Sequence, residues 1–567
     1  MRSLLLLPVL SVLLLAQTPV VDSRNFKTPG TDTVFAMPEY RTLAEWEKRR
    51  EHLRKQILTA AGLYPMPEKP PMGTLVFGKI ENRDYSVEKV AIETMPGYWL
   101  GGNLYRPLGK PGRHPAVASP HGHWNYGRLE HQQLASVPAR AINLARLGFV
   151  VMTYDMVGYT DTIQTPHAFG DEPRDIAWNF GPLPLQLWNS IRVVDFLQTL
   201  PDVDPGQIGA TGASGGGTQT FLLAAVDPRV KFSAPVNMIS SIMQGGSPCE
   251  NAPGLRIDAN NMELGAMMAP RPMIMVAATG DWTKNTPSVE YPALKHIYEL
   301  YDAAARLEMK QIDAPHNYNQ QSREEVYRFF ARTILNNPNA EKIVERSPRI
   351  EKLGDMLVWH ARSLPPGALD FDGVRQAWQK LVGAPVKDAA LAKERLQLAL
   401  AAEWPARVDQ PGEFLSRAGR GDHVPVTVLG SGKPTRLVVH PDGMEAARAA
   451  AQEWVKAGET VVLIDAFQTG SAKAARNRDQ RHFLTFNKSD DAERVQDILT
   501  ALRWMESKGV TSPKLNGIGK AGVWAVFAAA VAPVKVDVAK PEAFEGADFL
   551  VPGLERVGGL ELGIVTK

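Results

Sequence analysis

The sequence predicts an α/β protein built on a mainly parallel sheet with helices on both faces. Short β-rich runs alternate with helical patterns from about residue 74 to residue 336, and the same alternation returns at residues 424–531. Parallel strands need a crossover segment, usually a helix, so this alternation favours a parallel sheet. The length of 567 residues also exceeds what one hydrophobic core usually supports, which predicts more than one domain.

The strand pattern can be followed along the first region. Residues 74–80, 86–93 and 99–106 predict an antiparallel lead-in. Further β-rich runs predict strands at residues 116–119, 149–154, 208–211, 232–236, 273–277 and 308–313. Upstream of them, Thr42 and Glu45 have the spacing of a capping box, so we expect a helix to begin at Thr42.

The composition limits the possible functions. The 63 Lys and Arg residues against 61 Asp and Glu residues leave a formal net charge of +2, with no long basic run. This balance argues against a nucleic-acid partner. Cys249 is the one cysteine, which excludes an internal disulfide and a cysteine-ligated zinc site. We therefore expect stability from packed cores and no metal or cofactor, and the sequence leaves the oligomeric state open.

The first residues predict a signal peptide. Arg2 supplies a positive start, residues 4–15 form an apolar run broken only by Pro8 and Ser11, and Ala16 offers a small residue for cleavage. The run is too short for a membrane span. No later segment is apolar for long enough to cross a bilayer, so the sequence predicts a secreted or periplasmic protein without a membrane span.

A Gly-x-Ser-x-Gly motif carries the strongest chemical signal. Residues 212–216 place Ser214 directly after the run at 208–211 and before a helical run at 218–226. This strand–turn–helix context is the one that a hydrolase nucleophile requires, because the tight turn projects the hydroxyl at the edge of the sheet. The same turn aims the N–H of Gly215 into the pocket, where it can stabilise an oxyanion.

A serine nucleophile needs a histidine base that is oriented by a carboxylate. In proteins of this fold class, the acid and then the histidine follow the serine along the chain, each at the end of a strand. His316 follows the run at 308–313, and Asp281 follows the run at 273–277, so we expect Asp281 to be the acid. Glu250 and Glu290 are the alternative acids. After His316, the spacing of Ser322 and Glu325 is that of a capping box and predicts the start of a helix.

The loop at residues 120–124 is the candidate for the second oxyanion donor. It follows the strand predicted at 116–119, and Gly122 would let the N–H of His123 point at the developing charge. Metal binding by His121 and His123 is the weaker interpretation, because two histidines are too few ligands. Three aromatic residues near these loops are candidate sugar contacts: Trp124, Trp282 and Tyr318.

These stretches resemble the bacterial acetyl xylan esterase and dienelactone-hydrolase-like branch of the α/β-hydrolases. The matching stretches are residues 120–124, 154–158, 200–204, 212–217, 249–251, 280–283 and 316–319. The resemblance covers about residues 75–335. It implies a triad of Ser214, Asp281 and His316 acting on acyl esters, such as the acetyl groups of plant polysaccharide. Glucuronoyl esterases and prolyl-oligopeptidase-type peptidases are related; Gly215 stands where glucuronoyl esterases usually have arginine after the serine.

A second, inert copy is predicted in the C-terminal part. Residues 147–155 parallel 457–465, and residues 212–226 parallel 517–531, so that Ser214 corresponds to Gly519. No second triad is visible. The predicted divisions are a signal peptide (1–22), an N-terminal helical segment (23–73), a catalytic α/β-hydrolase domain (74–338), a helical linker (339–423) and a degenerate, catalytically inert α/β-hydrolase-like domain (424–567).

The leading functional prediction is a serine carboxylesterase that acts on carbohydrate esters, with the carbohydrate ester as its partner. A prolyl-oligopeptidase-type peptidase is the alternative enzyme, although those usually carry a β-propeller that the residues before 74 are too few to form. A glucuronoyl esterase is a further alternative. From another class, a carbohydrate-binding protein on an inactive hydrolase scaffold would suit the second copy.

Overall fold

Two sheets hold most of the strands of the computed structural model, which describes residues 22–384, 386–539 and 549–559. The predicted signal peptide lies outside the described residues, apart from Asp22. Among the described residues, no helix is both long enough and apolar enough to cross a bilayer.

The first region supplies the elements of a nine-stranded sheet and its helices. In chain order these are α1 (Leu43–Ala60), β1 (Thr74–Glu81), β2 (Tyr85–Met95), β3 (Tyr98–Pro107), β4 (His114–Pro120), β5 (His131–Gln132), β6 (Ala135–Ser136), α2 (Val137–Leu147), β7 (Val150–Tyr154), α3 (Pro173–Ala177), α4 (Pro182–Thr199), β8 (Val203–Ala213), α5 (Gly215–Val226), β9 (Val230–Val236), α6 (Asn261–Ala266), β10 (Met273–Gly280), α7 (Glu290–Leu300), β11 (Leu307–Pro315) and α8 (Gln320–Thr333). Strands β5 and β6 form a separate ribbon. Every strand predicted in this region is present.

The strand order of the first sheet is β1-β2-β3-β7-β4-β8-β9-β10-β11. The first four strands pair antiparallel, and the pairs from β7 onwards are parallel. Side chains alternate between the two faces: Ala116 and Ala118 pack against α4 and α5, whereas Val117 packs against α2 and α8. Burial on both faces explains why these strands read as continuous apolar runs. The α/β class predicted from the sequence is therefore confirmed.

The remaining chain contains a short helical region and then a seven-stranded sheet. Its elements are α9 (Leu353–Met356), α10 (Phe371–Val382), α11 (Ala389–Ala399), β12 (Val408–Asp409), β13 (Phe414–Arg417), β14 (Val424–Leu429), β15 (Arg436–Val439), α12 (Met444–Lys456), β16 (Val461–Ile464), α13 (Phe483–Phe486), α14 (Asp490–Ser507), β17 (Lys514–Gly517), α15 (Ala521–Val531) and β18 (Asp537–Val538).

The second sheet repeats the first strand for strand over seven strands. Its order, β12-β13-β14-β16-β15-β17-β18, matches β1-β2-β3-β7-β4-β8-β9, and each pair has the same direction as its counterpart. Helices α12, α14 and α15 occupy the places of α2, α4 and α5 in chain order. Within the described residues, nothing corresponds to β10 and β11. The described second sheet therefore repeats the first seven strands of the nine-stranded sheet.

Two boundaries differ from the sequence predictions. Strands β12 and β13 belong to the second sheet but lie before residue 424, inside the segment predicted to be helical; edge strands of two and four residues are too short to show an alternating pattern. Helix α8 begins at Gln320 with Asn319 as its N-cap, whereas the sequence suggested a capping box starting at Ser322.

The two sheets are joined by backbone contacts as well as by the chain. The N–H groups of Gly254 and Arg256 donate to the carbonyls of Leu484 and Thr485, both at 2.8 Å. The N-terminal residues also run across both parts: the N–H of Ser23 donates to Gly421 O at 2.9 Å. The loop after β9 and the segment before α14 are therefore held against each other.

Candidate active site

Ser214 is the single residue between a strand and a helix. Strand β8 ends at Ala213 and helix α5 begins at Gly215, while Ser214 itself adopts φ +59° and ψ −127°. A positive φ is strained for a residue with a side chain, and such strain often occurs at functional sites. The backbone of Ser214 is fixed on both sides, because its N–H donates to Val236 O at 3.2 Å and its carbonyl accepts from Thr218 at 3.0 Å.

His316 and Asp281 form a hydrogen-bonded pair at the ends of neighbouring parallel strands. Asp281 follows β10 and His316 follows β11, and His316 Nδ1 donates to Asp281 Oδ2 at 2.7 Å. The Asp281 side chain is 2% exposed, whereas that of His316 is 23% exposed. This bond fixes the tautomer of His316 with its other nitrogen available as an acceptor. That nitrogen, Nε2, is buried and has no hydrogen-bond partner among the described residues.

Thr283 holds the other oxygen of the Asp281 carboxylate. The N–H and the hydroxyl of Thr283 donate to Asp281 Oδ1 at 2.7 and 2.5 Å. The carboxylate is therefore bound through both oxygens and presents only Oδ2 to the histidine. The sequence analysis missed Thr283; the Asp-x-Thr spacing, which allows a side chain to bind the backbone two residues ahead, could have indicated it.

Two tryptophans lie against His316. The Trp282 ring centroid is 4.3 Å from the His316 ring, and the Trp124 ring stacks at 6.2 Å with an interplanar angle of 29°. Trp282 is fixed by its indole N–H, which donates to Asn237 O at 3.0 Å. The rings of Trp124 and Trp282, both predicted to be sugar contacts, therefore lie beside the His316 ring.

The alternative acids make other contacts. Glu250 Oε2 accepts from the N–H groups of Gly246 and Ser247 at 2.8 and 2.9 Å, and burial raises the pKa of this carboxyl while those N–H groups oppose the rise. Glu290 is fully buried, and its Oε1 accepts from the N–H of Ser241 at 2.6 Å. Of the three candidates, only Asp281 is hydrogen-bonded to His316.

The loop after β4 lies directly beside Ser214. A Cβ placed on Gly122 would be 3.1 Å from the Cβ of Ser214, and one placed on Gly215 would be 2.6 Å from Cε1 of His123. Gly215 is the first residue of α5, where N–H groups have no acceptor within the helix. The N–H of Trp124 donates to Gly122 O at 2.8 Å, so the chain turns sharply at His123. The two predicted oxyanion donors thus belong to adjoining segments.

The side chain of His123 meets two groups that the sequence analysis did not connect with it. Its Nε2 lies 3.1 Å from Cys249 Sγ, and its ring centroid lies 5.2 Å from that of His167. Burial lowers the pKa of His123 to about 4 and also lowers that of His167, while burial raises the pKa of the Cys249 thiol. One ring nitrogen of each of the two histidines and Cys249 Sγ lie within 4.8 Å of one another, a spacing at which these three residues could hold a metal ion.

Tyr318 corrects one expectation. Its ring is 1% exposed and lies under the guanidinium of Arg140 at 4.6 Å, and its hydroxyl is 2.7 Å from Thr211 Oγ1. Because both its ring and its hydroxyl have partners inside the protein, Tyr318 is a packing residue below the sheet edge. Its proximity to His316 in sequence did not reveal that it points inward.

The sheet order and the strand-to-helix turn at Ser214 define an α/β-hydrolase. The chain is similar to Methylesterase BT1017, with 30% sequence identity, 60% of this chain and 77% of that chain covered, and a TM-score of 0.52. The chain belongs to the α/β-hydrolase superfamily and is a hydrolase of the esterase type.

Other similarities are more distant. The chain is 24% identical over 200 residues to "Putative hydrolase YtaP" of Bacillus subtilis (strain 168), a match that spans 32% of this chain and 62% of that protein. The match therefore covers less than two thirds of the length of this curated relative. A glucuronoyl esterase from Solibacter usitatus shares 16% identity, with 53% and 98% of the two chains covered and a TM-score of 0.40. No family model matches the chain.

Proposed function

We propose that this protein is a serine esterase that hydrolyses ester groups on a carbohydrate polymer, with Ser214 as nucleophile, His316 as base and Asp281 as the residue that orients His316. The observation that carries the proposal is the His316–Asp281 pair at the same sheet edge as the strained Ser214. The unpartnered Nε2 of His316 is the acceptor that a serine proton requires.

The reaction follows from these roles. Ser214 Oγ attacks the ester carbonyl while His316 Nε2 accepts the hydroxyl proton, and the N–H groups of Gly215 and His123 stabilise the resulting oxyanion. The C–O bond then breaks, His316 returns the proton to the leaving alcohol, and an acyl-enzyme remains. A water molecule, deprotonated by His316, releases the acid and restores Ser214. Asp281 stays ionised throughout and stabilises the imidazolium that forms twice in each cycle.

Acetyl esters of plant polysaccharide are the leading substrate class. Trp124 and Trp282 provide apolar ring faces beside the base, and such faces suit the C–H surfaces of sugars. The similarity to a methylesterase favours a second candidate, a methyl ester of a sugar acid. In the first case the sugar is the leaving alcohol; in the second the sugar carboxyl forms the acyl-enzyme and methanol leaves.

Export is part of the proposal. The apolar run at residues 4–15 after Arg2 has the length and charge pattern of a signal peptide. A polymeric extracellular substrate is consistent with it. Determining the N-terminal residue of the protein recovered from a bacterial periplasm or medium tests this directly; an intact Met1 in an intracellular fraction would contradict it.

A fluorophosphonate probe and a substrate panel test the function. We expect the full-length protein to be labelled at Ser214 and the Ser214→Ala protein to be unlabelled. The panel compares acetylated xylan, methyl-esterified polygalacturonate, a glucuronoyl ester and a proline-containing peptide by the release of acetate, methanol, the alcohol or the amine. Cleavage of the peptide alone would favour the peptidase. Absence of labelling, with no hydrolysis of any ester, would favour a binding protein.

A further inference from the structure

The second domain contributes one wall of a cleft whose other walls belong to the first domain. The cleft has a volume of about 510 Å³, within the range of roughly 300–1,000 Å³ that ligand sites usually occupy. Its other walls come from residues 169–184, around the start of α4, and residues 246–253, the loop after β9. Residues 481–485, immediately before and within α13, close the third side.

His123 lies between the candidate active site and the cleft. On one side of His123 lies Gly215, next to Ser214. On its other side lie Cys249, whose neighbour Pro248 lines the cleft, and His167, two residues before the cleft residue Phe169. The cleft therefore adjoins the candidate active site, and the residues packed around His123 form the partition between the two.

The wall from the second domain is held in place. Besides the two backbone bonds from Gly254 and Arg256, the guanidinium of Arg481 donates to Gly246 O, and His482 Nε2 lies 3.4 Å from the same carbonyl. His482 adopts a positive φ of 56°, which turns the chain at this point. A wall fixed by several contacts can recognise a ligand without first being ordered, which lowers the entropic cost of binding.

The lining has the mixture of groups that sugars require. Asp171 and Arg481 are exposed charges of opposite sign, able to bind hydroxyl and carboxylate groups. Phe169 and Phe483 are partly exposed rings that can cover C–H faces.

We propose that this cleft binds the sugar residues of the substrate chain that adjoin the sugar carrying the ester, and that residues 481–485 of the second domain make this subsite. The inference rests on the proposed function, because it assigns a polymeric carbohydrate to the same active site. It also gives the inert second copy a role: it carries no catalytic group but extends the binding surface of the first domain.

The test compares long and short substrates in matched variants. The cleft variant is Asp171→Ala with Arg481→Ala. The control variant is Glu172→Ala with Arg478→Ala, which removes neighbouring exposed charges outside the cleft. Acetylated xylopentaose is compared with acetylated xylose, and a methyl-esterified galacturonic acid pentamer with the methyl ester of the monomer. The more rapidly hydrolysed pair is used for the kinetics.

We expect the parent and the control to prefer the oligomer, with a kcat/KM at least about tenfold higher than for the short ester. The cleft variant should lose this preference chiefly through a higher KM. Titration of unesterified xylopentaose or galacturonic acid pentamer into Ser214→Ala protein, with and without the cleft substitutions, measures the same subsite without catalysis. The cleft substitutions should weaken binding at least about tenfold.

The outcomes separate the two proposals. If the parent shows no preference for the oligomer, or if the cleft variant keeps both the preference and the binding, the subsite proposal is overturned while the esterase proposal stands. If Ser214→Ala hydrolyses both esters like the parent, the proposed function fails, and the binding titration still decides whether the cleft takes sugars. Thermal unfolding of both double variants shows whether the fold is retained.

Discussion

Asp155 and Asp465 occupy the same place in the two sheets and make the same contact. Asp155 follows β7, Asp465 follows β16, and in each case Oδ2 accepts a hydrogen bond of 2.8 Å from the N–H group six residues ahead, that of Asp161 and that of Ser471. A matching side-chain contact, in addition to the matching order of seven strands, supports the duplication inferred from the sequence.

The two aspartates differ in the hydrogen-bond partner of their other carboxylate oxygen, Oδ1. Asp155 Oδ1 accepts from the buried guanidinium of Arg128 at 2.5 Å, whereas Asp465 Oδ1 accepts from the N–H of Met444 at 2.6 Å. In the first copy the aspartate therefore joins a buried ion network with Arg128 and Asp161, and in the second copy it caps helix α12. The strands that precede Asp281 and His316 have no counterpart in the described second copy, so the described residues of that copy hold no equivalent of this pair.

Replacing Ser214 with alanine should abolish ester hydrolysis. Without the hydroxyl no acyl-enzyme forms, and loss of the nucleophile in serine hydrolases typically lowers kcat by about 10⁶. Turnover of the best ester from the panel measures the effect, with the thermal unfolding curve as a check on the fold. The assignment of Ser214 is wrong if purified variant, free of host esterase, retains a tenth of the parental rate.

The comparison of Asp281→Asn with Glu250→Gln tests the acid. Asparagine at 281 keeps the contacts with Thr283 but cannot stabilise the imidazolium of His316, so kcat should fall by about 10⁴, as for such a change in related triads. Glutamine at 250 can still accept from the N–H groups of Gly246 and Ser247, so its effect should be within about tenfold. A reversal of the two effects would make Glu250 the residue that orients the base.

Much of the first sheet could be predicted because its strands are buried on both faces and therefore form continuous apolar runs. The same cause explains what was missed. Strands β12 and β13 are two and four residues long and lie at the edge of their sheet, so no run or alternation marks them. Asn319 is the N-cap of α8, but the capping-box spacing of Ser322 and Glu325 predicts a later start for this helix.

The positions of candidate site residues that directly follow strands could be predicted from the sequence. Contacts between residues that are distant in sequence could not. The positions of Asp281 and His316 after neighbouring strands follow from chain order, because parallel strands end at one edge. The inward orientation of Tyr318 depends on Thr211 and Arg140, which are distant in sequence. The contact of His123 with Cys249, 126 residues away, likewise follows only from the three-dimensional packing.

His121 should make the stability of the protein depend on pH. It is fully buried, its Nδ1 donates to Gly122 O at 2.6 Å, and its Nε2 accepts from the N–H of Met156 at 2.9 Å. Burial lowers its pKa from 6.5 to about 3, so the folded protein holds it neutral while the unfolded chain protonates it below pH 6.5. Its stabilising contribution is complete above pH 6.5 and is lost as the pH falls towards 3, by about 1.4 kcal/mol per pH unit.

Glutamine at position 121 retains a donor group and an acceptor but does not titrate. We expect the free energy of unfolding in urea to fall less steeply between pH 6.5 and 4.5 for His121→Gln than for the parent. The difference between the two slopes should correspond to about one proton fewer taken up on unfolding. The exposed His360→Gln serves as the control for removing a histidine. Parallel pH curves for the parent and His121→Gln would show that His121 does not account for the acid sensitivity.

Gly519 tests whether the second copy can regain activity. It lies between β17 and α15 with φ +54°, close to the φ of +59° at Ser214, and a Cβ added there would meet no atom within 4 Å. Serine therefore fits in space but takes on a strained backbone conformation, which should cost about 1–3 kcal/mol of stability. The hydroxyl would have no base, because the described second sheet lacks the strands that place His316 and Asp281 in the first.

We therefore expect Gly519→Ser, introduced together with Ser214→Ala, to leave hydrolysis and fluorophosphonate labelling at the level of Ser214→Ala alone. A serine without an adjacent base is a weak nucleophile at neutral pH. The thermal midpoint of the double variant should fall below that of Ser214→Ala, which shows that the substitution reached the strained turn. Restored ester turnover would mean that the second copy holds a base and an acid outside the positions of the first, and that its inertness depends on the glycine alone.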